Sequence, residues 1–400
     1  MVVKLCFYTL AAVAAFVCAI GGEGWALVDK PVATFQRDLL DLAFETATAI
    51  PMRPHLKDRS KTQEAVVAAS LELDQPRRAL TYLQKIDNWR RAASYADLAS
   101  YSARHGETDK AHDYLERAAQ IARDPEVQDW RRDRIRVKIA KAYLWLGQTH
   151  QAEQFEAGVV VSEAGKVAQV KATLGNPQSF PAQLEALDAF ISQGGYDLTK
   201  HALDAYAVLF DRFYADPKRR SHVEAKINAS IDKLPVWFRV HLLMTLAKSA
   251  WAHSDQAKAI ELLNRAQTMA DAHQWPPRYG LPLKARLAEH RAQLGDNQQA
   301  RADADAALVW FDAVRQHMFD IERAGALRPL AEAYQAIGDA AAALAVYRRA
   351  VEEGAVNPNA RPKAEDLSAT CRSMALHGVE PDEALWTRLR QIHSALGPPW

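Results

Sequence analysis

A short pattern of small residues behind a glycine recurs along the 400-residue chain and constrains its fold more than any other feature. Gly106 is followed by Ala111, Leu115 and Ala118, at distances of 5, 9 and 12 residues. The same distances recur at Gly295 (Ala300, Ala304, Ala307) and at Gly338 (Ala343, Tyr347, Ala350). Steps of three and four residues place the last three positions on one face of a helix, and a glycine can end the preceding helix in the left-handed conformation. The pattern predicts antiparallel helix pairs whose small side chains let the two axes approach closely.

The repeated unit is longer in the C-terminal half of the chain. The spacings are 32 residues from Ala79 to Ala111, 41 from Ala259 to Ala300, 43 from Ala300 to Ala343 and 41 from Ala343 to Ala384. Two explanations fit: each C-terminal helix carries about one extra turn, or the connecting loops are longer.

These copies resemble the tetratricopeptide repeat (TPR), in which small residues mark the contact between two antiparallel helices and a glycine or aspartate marks their turn. The resemblance implies an all-α fold, a right-handed α-solenoid of antiparallel helix pairs (a TPR-like superhelix). Each pair has two apolar faces, so several pairs must stack to bury them.

The pattern lapses in the middle of the chain, where glycines and prolines are spread around three consecutive valines, 159–161. We read this segment as a joint containing a short strand or an irregular helix. The predicted organisation is a signal peptide at 1–26, N-terminal repeats at 31–157, the irregular joint at 158–182, and C-terminal repeats of about 41 residues at 183–400. The last helix pair, 364–396, is expected to cap the stack with a solvent-facing helix.

The first 26 residues have the pattern of an export signal. Lys4 precedes an apolar run of 16 residues, Leu5 to Ile20, which is shorter than the ~20 residues of a bilayer span. Cleavage after Gly21 and cleavage after Ala26 both fit, and an uncleaved anchor is the competing interpretation. We therefore expect an exported protein, periplasmic or secreted in a bacterial envelope, with membrane contact only through such an anchor.

Composition and motifs point away from several functions. Fifty basic and 49 acidic residues give a net charge of +1, without the basic excess typical of nucleic-acid binding. The sequence contains no HExxH, CxxC, GxSxG or glycine-rich phosphate loop, and its 13 histidines occur singly. We predict no enzyme activity, no cofactor and no metal. Cys371 is the one cysteine after the signal segment and is predicted to be a buried thiol.

In TPR proteins the first helix of each pair lines a concave groove that binds extended peptides or partner helices. Carried over position by position, the resemblance places these residues in the groove: Ser100, Arg104, Lys141, Trp145, Lys248, Trp251, Glu289, Arg328 and Glu332. Such a surface suits a peptide whose carboxylate is read by Arg or Lys. An ordinary solvated helix face is the alternative at each position.

The leading hypothesis is an exported scaffold or adaptor that binds a protein or peptide partner in this groove. The alternative is a secreted helical (α/α) enzyme acting on polysaccharide or peptidoglycan, which needs two acids ~5 to 9.5 Å apart in a deep cleft. Self-association through the ends of the stack is a third possibility. A ring of helices around converging acids would favour the enzyme.

Overall fold

The computed structural model describes residues 27–124 and 127–400. The predicted signal peptide lies outside these residues. The described residues fold into α-helices and short 3-10 turns, without a β-strand among them. The all-α prediction is confirmed.

Residues 27–124 and 127–157 contain seven helices. They are α1 (Thr34–Ala49), α2 (Met52–Glu72), α3 (Pro76–Leu83), α4 (Arg90–Arg104), α5 (Thr108–Ala122), α6 (Asp129–Trp145) and α7 (Thr149–Glu156). The joint and the chain after it form α8 (Val161–Ala164), α9 (Ala168–Leu174), α10 (Phe180–Gln193), α11 (Tyr196–Arg212), α12 (Pro217–Ser230), α13 (Val236–Ala252), α14 (Gln256–Asp271), α15 (Pro277–Gln293), α16 (Asn297–Val314), α17 (Asp320–Ile337), α18 (Ala340–Ala355), α19 (Ala360–His377) and α20 (Glu383–Ser394).

The glycine followed by residues at 5, 9 and 12, here called the glycine frame, has the structure that its spacing predicts. Gly106, Gly295 and Gly338 follow the ends of α4, α15 and α17 with φ of +77°, +83° and +89°, in the left-handed region that favours glycine. The nine residues at the 5, 9 and 12 positions of the three copies are all at most 1 % exposed. The pattern therefore marks real turns and the buried contact between paired helices.

Longer helices, rather than longer loops, lengthen the C-terminal units. The 32-residue unit from Ala79 to Ala111 contains α3 with 8 residues and α4 with 15, whereas α16 and α17 of the 43-residue unit have 18 each. The connections do not lengthen, since 84–89 joins α3 to α4 and 315–319 joins α16 to α17.

A second repeated feature, not predicted from the sequence, is an aspartate at the start of the helix that follows each of α13, α15, α17 and α19. Asp255, Asp296, Asp339 and Asp382 each accept a hydrogen bond from the backbone N–H three residues on, at 2.8 to 3.3 Å. These N-caps are 41, 43 and 43 residues apart. Ala259, Ala300 and Ala343 each lie four residues after a capping aspartate, whereas Ala384 lies two residues after Asp382 and is exposed. Ala384 is therefore not the equivalent alanine, and the last unit, measured from cap to cap, has 43 residues.

The stack of helix pairs closes on itself. Helix α1 packs against both α19 and α2, as α18 packs against both α17 and α19. Gln36 Nε2 donates a hydrogen bond to the Ala375 carbonyl at 2.7 Å, and Thr46 Oγ1 lies 3.0 Å from His393 Nδ1. The first helix thus supplies the second member of the pair begun by α19.

This closure differs from the predicted open stack with a terminal cap. Helix α20 does lie on the outside, with Arg390 and Gln391 exposed, but α19 is covered by α1 instead of ending the stack. The apolar side chains explain the difference. Leu39, Leu40 and Ala43 of α1 belong to the same buried core as Leu367 and Met374 of α19.

The joint is made of short helices. Helices α8 and α9, with the 3-10 turn Gly165–Val167 between them, occupy the place of an inner helix between α6 and α11. Of the two forms considered for the joint, the structure has the irregular helix. The two arcs of repeats therefore remain in contact through it.

Candidate functional site

The first helices of the pairs form the inner wall, which we define as the side of α2, α4, α6, α11, α13, α15, α17 and α19 that faces the middle of the ring. Neighbours in this series pack side by side, with the joint between α6 and α11 and with α19 against α2. A central cavity of about 730 Å³ is lined by residues of α2, α4, α6, α17 and α19. The closure through α1 thus brings helices from both ends of the chain to one cavity.

Ion pairs link neighbouring helices along this wall. The pairs are Asp58 with Arg361, Glu64 with Arg90, Asp97 with Lys138, Asp366 with Arg328, and Glu332 with Arg286. Each joins one inner helix to the next, and the Asp97–Lys138 and Arg328–Asp366 contacts measure 2.5 and 2.9 Å. The carboxylates of the cavity are therefore matched by cations.

Helices α11, α13 and α15 contribute three partly buried histidines to the inner wall. Burial lowers the pKa of His241 on α13, and the cations Arg286 on α15 and Lys200 on α11 lower it further. Burial likewise lowers the pKa of His290 on α15 and of His201 on α11. These imidazoles are consequently neutral at pH 7.

Two carboxyl groups of the central cavity are shifted towards their neutral form. Burial raises the pKa of Glu365, although Arg361 opposes the shift, and burial raises the pKa of Asp366, although Arg328 opposes it. The effect of desolvation on these pKa values thus outweighs that of both ion pairs. A raised pKa is the direction that a general acid requires.

Four predicted groove residues lie on α4 and α6, and two of them are in contact across these helices. The Arg104 guanidinium lies 6.0 Å from the centre of the Trp145 ring, at the outer limit of a cation–π contact. Arg104 Nε also donates to the Ser100 carbonyl at 3.3 Å. Lys141 lies on the same face of α6 and, within residues 27–124 and 127–400, has neither an ion pair nor a side-chain hydrogen bond. Burial lowers the pKa of Lys141, and nearby Asp97 opposes the shift.

Lys248 and Trp251 line a smaller apolar pocket between α13 and α15. It measures about 300 Å³, and His290 and Leu294 form its other side. Lys248 is exposed at the rim and has no carboxylate partner in the described part of the chain. The pocket could accept an apolar side chain beside an anionic group.

The remaining three predicted residues are already engaged. Glu289 accepts from Arg286 at 2.6 Å, and Arg328 donates to Asp366 at 2.9 Å. Glu332 is only 5 % exposed, and it accepts from Ser373 Oγ at 2.5 Å besides pairing with Arg286. The expectation that Glu332 faces an open groove is wrong, because α19 covers it with Ser373.

The contribution of α2 and α19 to the inner wall was not predicted from the sequence. On α19 the charged or small residues Arg361, Glu365, Ala369 and Arg372 recur every three or four positions, a stripe that indicates one helix face. That periodicity was readable, but no glycine frame marked it.

A separate cavity of about 800 Å³ lies at the joint. Apolar side chains such as Leu174, Leu187 and Phe190 dominate its lining. Two lining side chains, Glu156 and Gln183, each have a buried Oε1 atom without a hydrogen-bond partner. This cavity is chemically unlike the charged inner wall.

Within the described residues, no group of three His, Cys, Asp or Glu side chains is placed to hold a metal ion. In that same part of the chain, no helix combines the length and apolarity needed to cross a bilayer. Cys371 is 0 % exposed and burial raises the pKa of its thiol to about 12, so the predicted buried thiol is confirmed.

The fold defines the chain as a helical repeat protein. No protein family matches its sequence, and no curated protein matches it. Among solved structures, Ton1535 from Thermococcus onnurineus NA1 is similar at 15 % identity and a TM-score of 0.23, over 84 % of this chain and 98 % of that one. A circular tandem repeat protein with a novel repeat topology is similar at 14 % identity and a TM-score of 0.23, over 90 % and 94 % of the two chains. At these values neither likeness carries an argument about function.

Proposed function

We propose that this chain is an exported scaffold of the bacterial envelope that holds a protein or peptide partner on its inner wall. The proposal includes a TPR-like, right-handed arrangement of the helix pairs and no enzymatic activity. The observation that supports it best is which charged side chains of the inner wall have an ion-pair partner and which do not. Most carboxylates there have a cation, whereas Lys141 and Lys248 have no counter-charge among the described residues and lie near Trp145 and Trp251.

Such cations suit an acidic or carboxylate-bearing partner. A lysine without an ion pair has its ammonium donors free for a ligand, and a neighbouring indole adds apolar contact area. Because the two sites lie on α6 and α13, an extended peptide is the occupant that reaches both.

The test is recovery of a partner from envelope extract on immobilised protein, followed by the double variant Lys141→Glu, Lys248→Glu. We expect a specific partner whose recovery falls with the double variant. A matched control, Lys218→Glu with Lys233→Glu, makes the same charge change at exposed lysines outside the inner wall. Equal recovery with both double variants would remove the inner wall as the binding surface.

The second candidate is a helical enzyme acting on polysaccharide or peptidoglycan. The closed ring of helices around the carboxyl groups of the central cavity favours it, and so do the raised pKa values of Glu365 and Asp366, because a glycosidase needs a protonated acid. Release of reducing ends or muropeptides by the protein, lost in Glu365→Gln, would establish this activity. Absence of release from all tested substrates would leave the scaffold.

Export and self-association have direct tests. N-terminal sequencing of the protein from an envelope fraction is expected to begin at Gly22 or Leu27, and a chain that begins at Met1 would indicate an uncleaved anchor. Sizing at high concentration tests self-association, since α1 covers the α19 face through which stacked copies would otherwise join.

A further inference from the structure

Arg372, on the cavity side of α19, is a cation without an ion-pair partner among the described residues. Within residues 27–124 and 127–400 its guanidinium makes neither an ion pair nor a hydrogen bond, although the side chain is partly buried. The two carboxylates that act on it, Glu332 and Glu72, form no ion pair with it. Glu332 is instead held by Arg286 and Ser373.

The surroundings of Arg372 make this charge costly. Burial lowers the pKa of Arg372, and the neighbouring cation Arg328 lowers it further. A charge removed from water without a partner destabilises the fold, and replacement by an apolar residue usually relieves that cost. An unpaired arginine of this kind is explained by a ligand that supplies the missing negative charge.

The cavity has room for such a ligand. Three alanines, Ala65, Ala68 and Ala369, line it together with Arg372. Small side chains on α2 and α19 leave space that longer ones would fill. Lys61 on α2 also lines the cavity and has no ion pair in the described part of the chain, so a second cation is available to the same ligand.

The geometry points to a site in the central cavity where Arg372 binds a carboxylate group of a ligand through its guanidinium. A planar carboxylate matches the two parallel donors of an arginine. A phosphate at pH 7 concentrates about 1.5 to 2 negative charges on one group, whereas each carboxylate brings one, so a single unpaired guanidinium balances a carboxylate more completely. The inference deepens the proposed function and rests on it, since it assigns an acidic group to the partner on the inner wall.

The experiment measures binding of two carboxylate probes, succinate and a hexaglutamate peptide, by calorimetry and by the shift in Tm. Inorganic phosphate is the third probe. Wild type, Arg372→Met and the control Arg123→Met are compared, because Arg123 is exposed directly after α5 and has no ion pair in the described residues. We expect a carboxylate to bind wild type and Arg123→Met equally and to bind Arg372→Met about 10- to 100-fold more weakly.

The unliganded variants give a second readout. Arg372→Met is expected to raise the Tm of the free protein, because the variant removes an uncompensated charge. A lower Tm would mean that Arg372 has a structural role and would overturn the site. Equal carboxylate binding by wild type and Arg372→Met, or no carboxylate binding with firm phosphate binding, would also overturn it.

The two carboxylate probes show whether the carboxylate group belongs to an acidic peptide or to a small organic acid. Tighter binding of hexaglutamate than of succinate supports an acidic peptide, whereas equal binding supports a small organic acid; both support the site. Failure of the proposed scaffold function can be told apart from failure of the Arg372 site. In the first case wild type would capture no partner from envelope extract, while the Arg372-dependent binding of the probes would persist.

Discussion

At the scale of single residues, the two arcs of the chain end helices with similar glycine turns but begin the following helices differently. Asp255, Asp296 and Asp339 cap α14, α16 and α18 with their side chains, whereas Glu107 and Gln148 make no such bond at α5 and α7. The glycine turns were predictable, because a positive φ strongly favours glycine. The capping aspartates are also visible in the sequence, but they stand out from other aspartates only by their spacing of 41 to 43 residues.

Removal of one cap is expected to have a measurable cost. Asp296→Ala leaves the Gln299 backbone N–H without its acceptor and should lower the free energy of unfolding by about 1 kcal/mol. Urea denaturation measures this loss. Asp296→Asn keeps an acceptor oxygen and should remain near wild type, so equal losses in both variants would contradict the capping role.

Buried histidines predict how stability depends on pH. Burial lowers the pKa of His290 below its usual 6.5, with Lys248, Arg286 and His241 acting in the same direction and Glu289 against it. The unfolded chain therefore binds the proton more readily than the folded chain. Stability from this group is fully present above pH 6.5 and is lost as the pH falls below that value towards the folded pKa.

Denaturation at a series of pH values from 7.5 to 5 tests this sign. His290→Gln, which does not titrate, is expected to lose less stability over this range than wild type. Glu365 and Asp366 act in the opposite sense, since their raised pKa values favour the folded chain in acid, but only near and below their own titration range. Parallel profiles for wild type and His290→Gln would contradict the assignment.

At the scale of helices, the pairing of neighbouring helices was predictable from the sequence, and the closure of the stack by α1 on α19 was not. Small residues at Ala300, Ala304 and Ala307 specify that two helices nest, and they do so equally in an open or a closed stack. The segment 34–49 carries no glycine frame, so nothing in the repeat pattern assigned α1 to α19. Buried contacts between residues more than 300 positions apart decide that assignment.

The closing helix is expected to protect its partner. Leu40 is 0 % exposed in the core shared by α1 and α19, so Leu40→Ala should cost about 2 to 5 kcal/mol. Because repeat units contact mainly their neighbours, amide hydrogen exchange should rise in α19 and remain unchanged in α14. Val309→Ala, at a residue that is 68 % exposed, is the control. Unchanged exchange in α19 would contradict the packing of α1 on that helix.

At the scale of the whole molecule, closure changes what the inner wall can recognise. In an open stack the predicted residues would line a groove that extends past both ends. In the closed stack α17, α19, α2, α4 and α6 share one cavity in which acids and bases are mostly paired. The sequence located Lys141, Trp145, Lys248 and Trp251 on this wall, but the residues from α2 and α19 depend on contact between the two ends of the chain.

The central claim is that α1 completes the pair begun by α19, and a distance between spin labels on α1 and α20 tests it most directly. Labels at Glu45→Cys and Gln391→Cys, two exposed positions beside the Thr46–His393 contact, are introduced into a chain with Cys6 and Cys18 changed to alanine. Adjacent helices lie about 8 to 10 Å apart, so double electron–electron resonance is expected to give one narrow distribution below about 30 Å. A distribution centred well beyond that distance would mean that the stack is open and that the central cavity does not exist.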